Sequence, residues 1–129
     1  MTILVLSVNI AIIGVSMERL SNQDMTLEEY VTSLITDYNE TLTDFNLIES
    51  NTSTTLGGGD NNRPAYRLLY TDKEDDANYK TMEIGTIIGD RAYFINYVAE
   101  EEKYSNYLPN IQVVLQNEIM IVRQFHKDI

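Results

Sequence analysis

"YKTMEIGTIIGDRAYFINYVA", residues 79–99, decides the fold. Its first half places Met82, Ile84, Thr86 and Ile88 on one side, at the two-residue period of a strand. Gly89-Asp90 then supplies a two-residue hairpin connection. The second half returns with Tyr93, Ile95 and Tyr97 alternating with Phe94, Asn96 and Val98, so both faces carry apolar bulk. A strand apolar on both faces needs cover on both, which predicts a sheet with helices above and below it.

Working upstream, "DKEDDAN" (72–78) reads as a polar turn, and "PAYRLLYT" (64–71) as a strand with Tyr66, Leu68 and Tyr70 on one face. Pro64 lacks an amide hydrogen and belongs at that strand's beginning. "GGGDNN" (57–62) is a turn, because glycine and Asn/Asp tolerate positive φ. It is no phosphate loop, since the Lys-Ser/Thr of that pattern is missing. Before it, the β-branched stretch from about Phe45 to Leu56 has no helical period and reads as a strand.

"TLEE" (26–29) is a capping-box pattern, with Glu29 three residues after Thr26. It opens a helix to about Thr41, with Tyr30, Val31, Leu34, Ile35 and Tyr38 on one face. "ILVLSVNIAIIGV" (3–15) is too short and interrupted for a membrane helix and lacks the basic start of a signal peptide, the first basic residue being Arg19. It reads as one strand buried on both faces. Downstream, Leu108, Ile111, Leu115 and Ile119 form a helical stripe. Pro109 is tolerable only in a first turn, which sets the start near Ser105 to Leu108. The tail "MIVRQFHKDI" (120–129) fits either a continued helix or an edge strand. The resulting order is strand, helix, a meander of four strands, helix. That order indicates one α+β domain over residues 1–129 and lacks the alternating units of a doubly wound nucleotide fold.

Composition narrows the partners. Twenty Asp and Glu against nine Lys and Arg give a formal charge of −11. There is no basic stripe for nucleic acid and no attraction to anionic lipid. A cationic partner or a divalent ion suits the charge better. With no cysteine, disulfides, thiol catalysis and thiolate metal sites are excluded.

The residues most suggestive of chemistry are acids. Glu100, Glu101 and Glu102 leave a strand pointing in different directions, so they do not form one ligand set; acids before a helix suit its dipole. "DKEDD" gathers Asp72, Glu74, Asp75 and Asp76 in one loop, a candidate weak site for calcium or manganese. It lacks the EF-hand spacing, and a solvated turn is the plainer reading. The single histidine, His126, has no nucleophile motif or second histidine beside it. Of nine tyrosines, most fall on strands, where packing under helices is the default and a recognition surface the alternative. Asn39-Glu-Thr41 and Asn51-Thr-Ser53 match the glycosylation acceptor pattern.

The stretches "TLEEYV", "FNLIES", "TTLGG" and "PAYRLLYT", and above all "GDRAYFINYVAEEEKYSNYLP" (89–109), resemble the PsbP family, the extrinsic photosystem II proteins and their relatives outside photosynthesis. The resemblance runs over about four-fifths of the chain in order. It implies an α–β–α sandwich on a central antiparallel sheet and a non-catalytic role. On that reading the chain is an extrinsic interaction or assembly subunit of a larger complex, with calcium as its only cofactor candidate. The implied location is extracytoplasmic, with the membrane reached only through a partner or an upstream anchor. Family members usually open with an aromatic, Trp-bearing hairpin ahead of the first strand, whereas this chain has no tryptophan and starts "MTILVLSV". The comparison therefore implies an N-terminally truncated domain. A missing hairpin would bare a sheet edge, which predicts self-association as a homodimer alongside any protein partner.

Overall fold

The computed structural model of the protein describes residues 2–8, 11–22, 24–56, 63–106 and 108. Its elements in chain order are β1 (Thr2–Val8), β2 (Ala11–Arg19), α1 (Leu27–Thr41), β3 (Thr43–Leu56), β4 (Arg63–Glu74), β5 (Ala77–Ile88) and β6 (Arg91–Glu100), followed by a 3-10 turn at Glu101–Lys103. The six strands form one sheet in the order β1-β2-β6-β5-β4-β3. Every neighbouring pair is antiparallel.

The 79–99 hairpin sits in the middle of this sheet. Ile88 pairs with Arg91 across Gly89-Asp90, and Gly89 takes the left-handed φ of 64° that such a connection requires. The β4–β5 connection is equally tight: Glu74 pairs with Ala77, and the two residues between them, Asp75 and Asp76, have φ of 50° and 66°. Aspartate is one of the few L-residues that adopts this region readily, so a sequence of charges makes a two-residue turn without glycine.

α1 begins as its capping box dictates. The Glu29 amide donates to Thr26 Oγ1 at 3.1 Å, and the Thr26 amide donates to Glu29 Oε1 at 3.0 Å. The helix ends where the Leu42 amide donates to the Tyr38 carbonyl, after which Leu42 is extended and the chain enters β3. α1 thus carries the chain from β2, inside the sheet, to its far edge. From β3 a four-strand meander walks back until β6 lies against β2.

Two expectations are corrected. The run 3–15 is not one strand. β1 and β2 pair antiparallel, with Val8 opposite Ala11, so the chain reverses between them. Uniform apolar character on either side of Asn9 hides that reversal in the sequence.

The α–β–α sandwich is also overturned: the molecule is mostly antiparallel sheet, with short helical elements rather than two helical layers. Among the described residues only α1 is a helix of more than a turn or so, and it lies against β3 and β4 on one face. Apolar bulk on both faces shows that both are buried, not that a helical layer covers each. On the α1 side, Tyr66, Leu68, Tyr70 and Ala92 pack with Leu20, Tyr30, Val31 and Leu34. On the other, Val15, Met82, Tyr93, Ile95, Tyr97 and Ala99 are closed by Tyr104, with Leu108 against them. The rest of the C-terminal helix expected through Ile119, the tail, His126 and the "GGGDNN" turn lie outside the described residues.

Candidate functional site

The most unusual chemistry in the fold is on β5, facing α1. Register places Glu83 between Leu68 of β4 and Asn96 of β6, in the interior of the sheet, and its exposure is 0%. A buried carboxyl needs hydrogen-bond donors, and two phenols supply them. Tyr38 of α1 donates to Glu83 Oε1 at 2.6 Å, and Tyr66 of β4 donates to Oε2. Glycine at position 85 makes the second contact feasible. Tyr66 is paired with Gly85, and a Cβ there would lie 2.5 Å from Tyr66 Cε1 and 2.6 Å from its hydroxyl oxygen.

An aromatic group surrounds the acid. The Tyr38 ring lies 5.1 Å from that of Tyr70, Phe45 lies 5.4 Å from Tyr70, and Tyr30 lies 5.9 Å from Tyr66. Asn96 Oδ1 is buried without a hydrogen-bond partner, and Tyr30 Oη has none within strict hydrogen-bond geometry, its side-chain interaction being with the Glu18 carboxyl. Burial raises the Glu83 pKa; the two phenol hydrogen bonds oppose that shift, and the charge of Glu18 adds to it. Burial also pushes Tyr30, Tyr38, Tyr66 and Tyr70 upward, with the Glu83 charge reinforcing each shift, so all four stay protonated. Chemically the cluster can hold a proton, and mechanically it ties α1 to the sheet.

Glu83 carries no motif in the sequence. The available signal was a lone acid inside an apolar strand, two residues before a glycine on the same face.

The acids singled out in sequence are partly brought together. Asp72 lies on β4, partly buried, its pKa raised by burial and then by the charge of Glu74. Glu74 ends that strand, and Asp75 and Asp76 form the exposed turn. Of these four, Asp76 alone reaches an open groove, shared with Ala77, Asn78, Glu100, Glu101 and Glu102. The groove exists because Tyr79 pairs with Glu100, which brings the end of β6 beside the start of β5. Glu100 is engaged by Lys103 Nζ at 3.7 Å. Among the described residues no three His, Cys, Asp or Glu side chains are disposed to hold a metal ion.

Of the described tyrosines, Tyr30, Tyr66, Tyr70, Tyr93, Tyr97 and Tyr104 are buried in the two cores. Tyr66, Tyr93 and Tyr97 are at most 1% exposed, and Tyr97 donates to the Tyr104 carbonyl at 2.7 Å beneath a stacked Tyr104 ring. Asn39 and Asn51 are both exposed, and Asn51 Oδ1 accepts from the Ser53 amide at 2.7 Å. Among the described residues no helix is long and apolar enough to cross a membrane.

The fold and its site define a sheet-dominated domain with a buried acid–phenol cluster. No protein-family model matches the chain, and no curated protein matches it. Among solved structures it is similar to the crystal structure of PA94 from Pseudomonas aeruginosa, a protein of unknown function labelled a candidate regulator. The TM-score is 0.71 at 14% identity, over 85% of this chain and 74% of that one, a likeness of fold alone.

Proposed function

We propose that this chain is a non-catalytic interaction module that takes up an extended segment of a protein partner along the β3 edge. One observation carries the reading. β3 runs for fourteen residues at the end of the sheet, with β4 as its single hydrogen-bonded neighbour among the described residues. An edge strand offers a row of backbone donors and acceptors to an added strand, with side-chain positions alongside for specificity.

The edge suits a partner better than a second copy of itself. Its register with β4 shifts at three places, and such irregularities hinder flat edge-to-edge pairing of identical strands. One shift falls between Leu47 and Glu49, leaving Ile48 48% exposed as an apolar anchor in a polar strand. The net charge of −11 favours a basic segment.

The test is selection of linear peptides from a random library, followed by amide chemical-shift mapping on the whole chain. Binders are expected to carry Lys or Arg alternating with apolar residues and to perturb β3. Ile48→Lys is expected to weaken them at least about tenfold, while altering stability by no more than about 0.5 kcal/mol, as an exposed substitution should. Binders that map to other strands, or are indifferent to Ile48→Lys, would overturn the edge reading. Gel filtration of the protein alone separates the self-pairing expectation, since a dimer at high concentration would make the partner a second copy.

A further inference from the structure

Glu83 joins two layers of the fold through one carboxyl group, with Tyr38 of α1 on one oxygen and Tyr66 of β4 on the other. Among the described residues no basic side chain acts on its charge. The titratable groups facing it are Glu18 from β2, Tyr30 and Tyr38 from α1, and Tyr66 and Tyr70 from β4. Across the sheet on β6 it meets Asn96, whose buried Oδ1 is itself without a partner. An ionised carboxylate in this place would be hydrogen-bonded yet uncompensated, and burying such a charge is costly.

We propose that Glu83 is a protonation-operated clasp: as a neutral acid it seats α1 on the sheet, and loss of its proton loosens α1 from β3 and β4.

The neutral acid keeps both phenol contacts by reversing one of them. One carboxyl oxygen accepts from a tyrosine, and the other donates its O–H to the second phenol oxygen. The neighbouring Tyr30 ring, 5.9 Å from that of Tyr66, interacts with Glu18 as well as Glu83, so the cluster contains no group that would compensate a charge on Glu83. When the proton leaves, the carboxylate needs water or a cation. The least costly relief is movement of the element that closes the site. α1 is that element, because it lies over the β3 end of the sheet and supplies Tyr38 and Tyr30, whereas Tyr66 is fixed within the sheet ladder.

The direction of the pH effect follows. Burial holds the Glu83 pKa above its ordinary value, so the folded protein binds this proton more tightly than the unfolded chain. The stabilisation is complete below the ordinary carboxyl value and is lost as pH rises through the folded one.

Amide hydrogen exchange on the full chain between pH 5 and 8, corrected for intrinsic rates, reads this directly. In the wild type, α1 protection is expected to fall relative to β6, by up to about tenfold per pH unit between the ordinary carboxyl value and the raised folded one, and to level off above it. In Glu83→Gln, which stays neutral, the ratio is expected to be flat. A flat ratio in the wild type, or an equal slope in Glu83→Gln, would overturn the clasp. Should Glu83→Gln not fold, carboxyl carbon NMR of the wild type decides. A Glu83 resonance titrating above the ordinary glutamate range, in step with α1 amide shifts, supports the clasp; titration within that range refutes it.

Discussion

The two faces of the sheet solve the same packing problem with different chemistry. Both bury tyrosines from β4 or β6. On the face away from α1, Tyr97 gives its hydroxyl to a backbone carbonyl among Val15, Met82 and Ile95, and the charges near it, Lys80 over the Tyr104 ring and the half-exposed Arg67 and Glu49, sit outside that core. On the α1 face, the hydroxyls of Tyr38 and Tyr66 converge on a carboxyl. A carbonyl cannot titrate near neutral pH, whereas a carboxyl can. One face is therefore a permanent core, and the other is a core whose cohesion depends on a proton.

Substitutions can break that contrast. The largest effect is expected from Ile95→Ala on the permanent face. Ile95 is 3% exposed, and truncating a buried isoleucine costs between about 2 and 5 kcal/mol. Urea denaturation should show that loss unchanged between pH 5 and 8; a pH-dependent loss would mean that titration reaches both faces.

Gly85→Ala on the α1 face should cost about 1–3 kcal/mol, as overpacking does. The new methyl would meet the ring of Tyr66, a side chain with no exposure and with its hydroxyl held by Glu83. In a Tyr66→Ala background the same change should cost little, and a double-mutant cycle measures the coupling. Additive losses would show that the glycine serves something other than Tyr66.

Much of the frame was legible in the sequence because it is written locally. Thr26 and Glu29 are three residues apart, and their reciprocal hydrogen bonds start the helix where the pattern placed it. Gly89-Asp90 lies between two alternating runs and turns the chain there. The β1–β2 reversal was missed because apolar alternation continues on both sides of Asn9, leaving a single polar residue as its mark in the sequence. Glu83 was missed for a different reason. Its donors stand 45 and 17 positions away, and only the completed sheet and the docked helix bring them to it. The meeting of Asp76 with Glu100–Glu102 likewise depends on β5–β6 register rather than on the composition of either segment. The sandwich expectation failed because apolar residues on both faces show that both are buried without showing what covers them.

The smallest expected effect is also the most discriminating, and it compares one hydroxyl on each face. Tyr97→Phe removes a neutral hydrogen bond to the Tyr104 carbonyl, a loss of about 1 kcal/mol that should not vary from pH 5 to 8. Tyr66→Phe removes a donor from Glu83. While the acid is neutral that loss should be similar, since one phenol contact remains through Tyr38. Once the acid ionises, the lost bond is one to a charge, worth about 1.5–3 kcal/mol. The hydrogen bond from Tyr66 favours the ionised form, so its removal drives the folded pKa of Glu83 still higher. The variant should therefore fall further below the wild type as pH rises. Paired denaturation curves at pH 5 and 8 give the answer: parallel losses for the two variants would make the faces equivalent, and a gap opening only for Tyr66→Phe would show that the acid, not the ring packing, sets them apart.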